Sequence, residues 1–138
     1  MTGSGRTPLF AVLHAASALE SRVEEQLAEV GLSLPNLAAL HQLSQAGDSL
    51  PLGHLAERLA CVKSNVTQLV DRLEGDGLVV RAADPNDRRS RLAVITDSGT
   101  RAYERGIQIQ QRAEREIFGA LSKEESSALH ELLDKIAR

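Results

Sequence analysis

The chain has 138 residues, a formal net charge of −3, 42% hydrophobic residues and 2% aromatic ones. That is one domain by length, with apolar material for a real core. The three aromatics, Phe10, Tyr103 and Phe118, leave that core to Leu, Val, Ile and Ala, as in a helical bundle. A single cysteine excludes an internal disulfide, and no Cys/His cluster has zinc spacing, so neither a disulfide scaffold nor a metal site is expected. The first ten residues hold no basic stretch leading into a long apolar run, so no signal peptide is expected. No segment approaches the length of a membrane-spanning helix, which leaves a cytoplasmic protein as the default.

Residues 1–6 are small and polar and read as a loose tail. Thr7-Pro8 then supplies an N-cap and a proline at the first helical position. Leu9, Val12, Leu13, Ala16, Leu19, Val23, Leu27 and Val30 recur at three- and four-residue steps, one apolar stripe on a helix that ends near Gly31. Ser33 can cap a second helix with Leu37, Leu40 and Leu43 inward, closed by Gly47-Asp48. Pro51 opens a third, short helix with Leu52, Leu55, Ala56 and Leu59 inward, and Ala60-Cys61-Val62 turns into a fourth, running from Lys63 to Glu74. Two short helices joined by about three residues are the helix-turn-helix pattern.

Gly75-Asp76-Gly77 ends the fourth helix, and Leu78-Val79-Val80-Arg81 and Leu92-Ala93-Val94-Ile95 form a hairpin around the tip Asp84–Ser90. Thr96 caps a long fifth helix reaching about Gly119, polar in its middle, with a thin seam of Ala102, Ile109, Ala113, Ile117 and Ala120. Ser122-Lys123-Glu124-Glu125 is a capping box for a last helix whose apolar face is Leu129, Leu132, Leu133 and Ile136. The first and last helices carry more apolar surface than the central elements need. They either fold back on their own domain or pair with a second copy; pairing is the favoured reading, since two-fold dimers are the commonest assembly.

The negative charge is unevenly spread. Residues 58–101 hold eight Lys/Arg and six Asp/Glu, a local balance of +2, against −5 elsewhere. A basic patch on an acidic chain can still bind phosphate. On the fourth helix Val66, Leu69, Val70 and Leu73 share one arc, with Ser64, Gln68 and Asp71 opposite, flanked by Thr67 on one side and Asn65 and Arg72 on the other. Asn and Gln can pair twice with adenine, Ser and Thr are permissive, and Lys and Arg take guanine or phosphate. Ser64, Asn65 and Gln68 are therefore the candidate base readers, and Lys63, Thr67 and Arg72 the candidate phosphate contacts. Asp71 would repel phosphate and is expected to pair with an arginine. At the hairpin tip, Arg88 and Arg89 suit the minor groove, and Asp87 can hold a guanidinium by a bidentate pair. The bland alternatives are an ordinary polar helix face and a solvated Asp-Pro-Asn turn.

Asp84-Pro85-Asn86-Asp87-Arg88-Arg89-Ser90, followed by Leu92, Val94, Thr96 and Gly99, resembles the wing signature of the MarR family of bacterial transcription regulators. Leu55-Ala56-Glu57-Arg58-Leu59, Val66–Glu74 and Gly77-Leu78-Val79 are similar to its helix-turn-helix. The order of elements fits along nearly the whole chain, and the combined pattern is specific. The resemblance implies a mainly α fold with a small β-hairpin wing: a winged helix-turn-helix with N- and C-terminal dimerisation helices. It implies one MarR-like domain over 1–138, with a DNA-binding lobe at 32–98 and dimerisation helices at 7–31 and 99–138. It further implies a homodimer on a pseudo-palindromic operator, usually a repressor, with Arg89 the best match to the arginine that enters the minor groove and Arg88 beside it. Many members release DNA on binding a small aromatic or phenolic compound between the dimerisation helices and the DNA-binding lobe; others respond to cysteine oxidation. One departure is Val62, where members often carry a capping Ser or Thr; Ser64 is expected to cap instead.

Two triggers stay open. Cys61 stands before the fourth helix near Lys63, where a thiol pKa is lowered; it is either a redox switch or a small buried core residue. His14, Arg22, His41 and Tyr103 are the polar groups able to line a ligand cleft, each equally an ordinary surface or packing residue. An enzyme is not expected: the chain has no phosphate-binding glycine loop, metal cluster or nucleophile with a flanking histidine, and no cofactor is implied. The rival reading is a winged helix used only for protein contacts, its arginines meeting an acidic partner.

Overall fold

A computed structural model describes residues 7–59 and 65–138. The expected tail at 1–6, the turn at 60–62 with Cys61, and Lys63 and Ser64 lie outside the described residues. Helix α1 (Pro8–Leu27) begins at Thr7 with Pro8 in its first turn, although the Thr7 side chain makes no cap hydrogen bond. A 3-10 turn (Ala28–Val30) follows, and Gly31 at φ 73° reverses the chain in the left-handed region, which a side chain would disfavour. Ser33 caps α2 (Leu34–Gln45), its Oγ accepting from Asn36 N at 3.2 Å. Leu37, Leu40 and Leu43, one face of α2, are fully buried.

Strand β1 (Ser49–Pro51) precedes α3 (Leu52–Arg58). It was not expected, because three residues with one buried side chain, Leu50, carry no alternation to read. In α3, Leu55 and the following Leu59 are buried, whereas Ala56, expected inward, faces solvent. Helix α4 (Val66–Gly75) starts three residues later than the expected Lys63. Its Leu69, Val70 and Leu73 join Leu27, Leu37, Leu40, Leu43 and Leu55 in one leucine-rich core. Strands β2 (Val79–Ala83) and β3 (Arg91–Ile95) form the hairpin, and the antiparallel sheet runs β1-β3-β2. Its register sets Val79 opposite Ile95 and Arg81 opposite Ala93, so Val79, Arg81, Ala93 and Ile95 share the face turned to the core and α4.

Helix α5 (Asp97–Phe118) starts at its expected cap, Thr96, and buries Gly99, Ala102, Gly106, Ile109 and Ala113. Helix α6 (Lys123–Ile136) carries both bonds of the expected capping box, between Ser122 and Glu125. No residue of α6 is buried in the single chain. The observed class is mainly α with a small three-stranded antiparallel sheet. Among the described residues, no helix is long and apolar enough to cross a membrane.

Candidate nucleic-acid interface

Helix α4 buries one side and offers the other. Thr67, Gln68, Asp71, Arg72 and Glu74 are exposed while Leu69, Val70 and Leu73 are sealed. The first turn is closed by Asn65, whose Oδ1 accepts from Gln68 N at 3.2 Å. This corrects the assignment of the cap to Ser64. Asn65 is thus a capping residue first, because its carbonyl oxygen satisfies a backbone donor that the helix leaves open. Its Nδ2 is the group left to face outward.

Asp71 has the arginine partner expected of it. Arg81 Nη2 donates to Asp71 Oδ1 at 2.8 Å and Arg81 Nη1 to Glu74 Oε1 at 2.7 Å. The Arg81 backbone N–H also donates to Glu74 Oε2 at 3.2 Å, and Nη2 reaches the Thr67 carbonyl at 3.5 Å. Hydrogen bonding to Asp71, reinforced by Glu74, raises the Arg81 pKa against the opposing pull of burial, so the guanidinium stays charged at any working pH. Reading the sequence missed Arg81. It stands ten residues after Asp71, across a helix-strand junction where no periodic rule pairs residues.

The wing tip is a pair of aspartate-stapled turns. Asp84 Oδ1 accepts from Asn86 N at 2.9 Å and Asp87 Oδ1 from Arg89 N at 2.9 Å. Backbone bonds Asp87 N to Asp84 O (3.3 Å) and Ser90 N to Asp87 O (3.1 Å) close the two turns. Asp87 therefore acts on the backbone rather than on a guanidinium, a correction to the bidentate pair expected of it; its Oδ1 is turned onto the N–H two residues on, as in an Asx turn, which takes the carboxylate out of the two-oxygen geometry such a pair needs. Arg88 and Arg89 are exposed, and among the described residues neither is in an ion pair. The next residue but one, Arg91, is exposed at the base of the wing.

The structure brings together two of the four proposed cleft residues. His41 Nδ1 and Tyr103 Oη lie 2.7 Å apart, joining α2 to α5. His41 also edges a cavity of about 220 Å³ walled by Leu34, Leu37 and Ala38, with Gln42 and Arg58 beside it on the polar side. His14 and Arg22 are exposed on α1. A second cleft, about 570 Å³, opens between the end of α5 and α6, against Phe118, Leu129 and Leu133. Among the described residues no group of three or more His, Cys, Asp or Glu is placed to hold a metal.

Comparison with known proteins gives the same frame. The model of the MarR family matches residues 32–90. The chain is 35% identical over 107 residues to the HTH-type transcriptional regulator YkoM of Bacillus subtilis, covering 78% of this chain and 69% of that protein. It is 33% identical over 128 residues to the transcriptional activatory protein BadR of Rhodopseudomonas palustris, covering 90% and 73%. Among solved structures it is similar to the transcriptional repressor CouR bound to a 23-mer DNA duplex. The TM-score is 0.87 at 27% identity, over 100% of this chain and 97% of that one.

Proposed function

The chain belongs to the MarR family and is a DNA-binding transcription regulator with a winged-helix fold, and from that premise we propose that it grips a pseudo-palindromic operator as a homodimer. The observation that carries this reading is the pairing of an exposed polar helix face with an adjacent exposed arginine tip. Gln68 and Thr67 on α4 face the major groove, Asn65 is available there through its amide nitrogen alone, and Lys63 and Ser64, which precede it in the sequence, are further candidate contacts. Arg72 meets phosphate, and Arg88 and Arg89 enter the neighbouring minor groove, held in place by the turn that Asp87 staples. Residues 32–98 form the DNA-binding lobe, and 7–31 with 99–138 hold two copies together, so that the lobes fall about one helical turn apart, roughly 34–36 Å. The chain acts in the cytoplasm, where the operator is, as a binder rather than an enzyme.

Repression is the proposed direction, as for CouR; the similarity to BadR makes activation the alternative that a promoter fusion separates. Release is proposed to follow entry of a small aromatic or phenolic compound into the cavity edged by His41, where a polar rim of His41, Gln42 and Arg58 meets an apolar wall. Oxidation of Cys61 is the second proposed trigger, on its place in the sequence just before α4; an unchanged peroxide response in Cys61→Ser removes it.

The test is duplex binding across salt. Wild-type affinity for a palindromic duplex is expected to fall by an order of magnitude or more, about 10- to 1,000-fold, between low and physiological salt. Arg89→Ala weakens it, and Gln68→Ala relaxes base preference more than it lowers non-specific binding. A flat salt dependence, with Arg89→Ala binding like wild type, would return the chain to the protein-docking reading.

A further inference from the structure

We propose that Arg81 is a positioning residue for DNA binding: it acts through Asp71 and Glu74, neutralising two carboxylates that α4 would otherwise present to the phosphates. The inference rests on α4 being the reading helix. Asp71 directly precedes Arg72 and lies three residues after Gln68, so its carboxylate belongs to the exposed side of α4. Asp71 and Glu74 keep 60% and 41% of their side-chain surface exposed, whereas Arg81 keeps 20%. The two acids therefore face outward and the arginine that balances them sits behind, on the sheet face turned toward α4.

The geometry goes beyond a surface ion pair of the kind that contributes little. One guanidinium meets both carboxylates at 2.7 and 2.8 Å, and the Arg81 backbone N–H takes the second oxygen of Glu74 at 3.2 Å. The contact to the Thr67 carbonyl extends the clamp, so Arg81 touches α4 at residues 67, 71 and 74, nearly two turns of one stripe. Arg81 also lies in β2, three residues before the wing tip begins at Asp84. The same side chain thus ties the reading helix to the strand that carries Arg88 and Arg89. Among the described residues, Arg81 is the cation paired with either acid.

The test uses the purified chain and a duplex that the wild-type protein selects from a randomised pool. Arg81→Ala is expected to bind about tenfold more weakly, because it exposes two like charges to the phosphates. That loss shrinks as salt rises and screens the repulsion. Adding Asp71→Asn and Glu74→Gln to Arg81→Ala is expected to recover most of the affinity. Asp71→Asn with Glu74→Gln and Arg81 intact binds at least as tightly as wild type, and this variant decides the matter if Arg81→Ala fails to fold. A triple variant as weak as Arg81→Ala, or a double variant weaker than wild type, overturns the inference. Arg89→Ala is run alongside. If it weakens binding while Arg81→Ala does not, only the role of Arg81 falls; if neither weakens binding, the placement of the DNA interface falls with it.

Discussion

Asn65 commits its side-chain carbonyl to the start of α4, and this limits what it can say to DNA. The two-point pairing of an asparagine with adenine uses the amide oxygen and nitrogen together; here the oxygen is turned to Gln68 N and the nitrogen alone remains. Asn65→Ala is expected to lower stability by about 1 kcal/mol, the usual loss for a vacated N-cap, read as a fall of several degrees in Tm for a domain of this size. Asn65→Ser keeps a capping oxygen, so it should melt like wild type and prefer the same bases. A serine variant with an unchanged melt and a relaxed preference at one position would restore Asn65 as a base reader. The capping sites at Ser33, Thr96 and Ser122 were legible because each precedes an apolar period. The cap of α4 was less so, since Ser64 and Asn65 are adjacent and both suit the position. Asp71 announced its need for a cation by its place on a phosphate-facing surface, but the cation came from a strand whose register only the folded sheet sets.

The elements meet at a junction that explains Thr96 and Gly99 in the wing signature. Thr96 Oγ1 accepts from Gly99 N at 3.0 Å and donates to the Gly77 carbonyl at 2.7 Å, and Thr96 N donates to the Leu78 carbonyl at 3.0 Å. One residue thereby caps α5 and fastens it to the turn that ends α4. The approach is so close that a Cβ at Gly99 would run into the Leu78 carbonyl oxygen and stand 2.7 Å from Ile95 Cγ1. Gly106 is tight as well, but its neighbours are the Leu37 and Leu32 methyls, at 2.7 and 2.8 Å, which can rotate away. Both Gly→Ala changes gain helix propensity, yet Gly99→Ala is expected to destabilise by roughly 1–3 kcal/mol through overpacking against backbone, and Gly106→Ala by less. Urea melts check this: the Gly99→Ala midpoint should fall further with an unchanged slope. Equal midpoints would mean that the junction yields as easily as the leucines do. Sequence reading found every α-helix among the described residues, from a long apolar period, a cap or, for the short α3, a proline at its start, and found the hairpin from its turn chemistry. It missed β1, and it missed both glycine contacts, because a close approach depends on the partner element and leaves no periodic mark on its own strand or helix.

At the scale of the whole molecule, the exposed apolar surface is concentrated. Of the large exposed hydrophobics among the described residues, Leu9, Phe10, Val12 and Leu13 lie in the first half of α1 and Leu132, Leu133 and Ile136 on α6, with Val80 the exception. Phe10 at 65%, Ile136 at 64%, Leu9 at 61% and Leu132 at 59% are the most exposed of them. Burying these side chains stabilises by roughly 25 cal/mol per Å² of apolar surface, and a two-fold axis lets the same surface serve both partners. Pairing would also raise DNA affinity without any new base contact, because the second lobe then binds at an effective concentration in the millimolar range. Leu132→Glu with Ile136→Glu should therefore leave the lobe folded, since neither side chain is buried in the single chain, while sedimentation shifts from dimer to monomer. Affinity for a full palindrome should drop by about 100-fold or more, toward the affinity for a half-site, which itself should stay unchanged. The melting temperature of the wild type, but not of the double variant, should rise with protein concentration. A double variant that remains dimeric would place the contact on other surfaces, and a wild type that sediments as a monomer at micromolar concentration would mean that the terminal helices shelter their apolar faces in some other way.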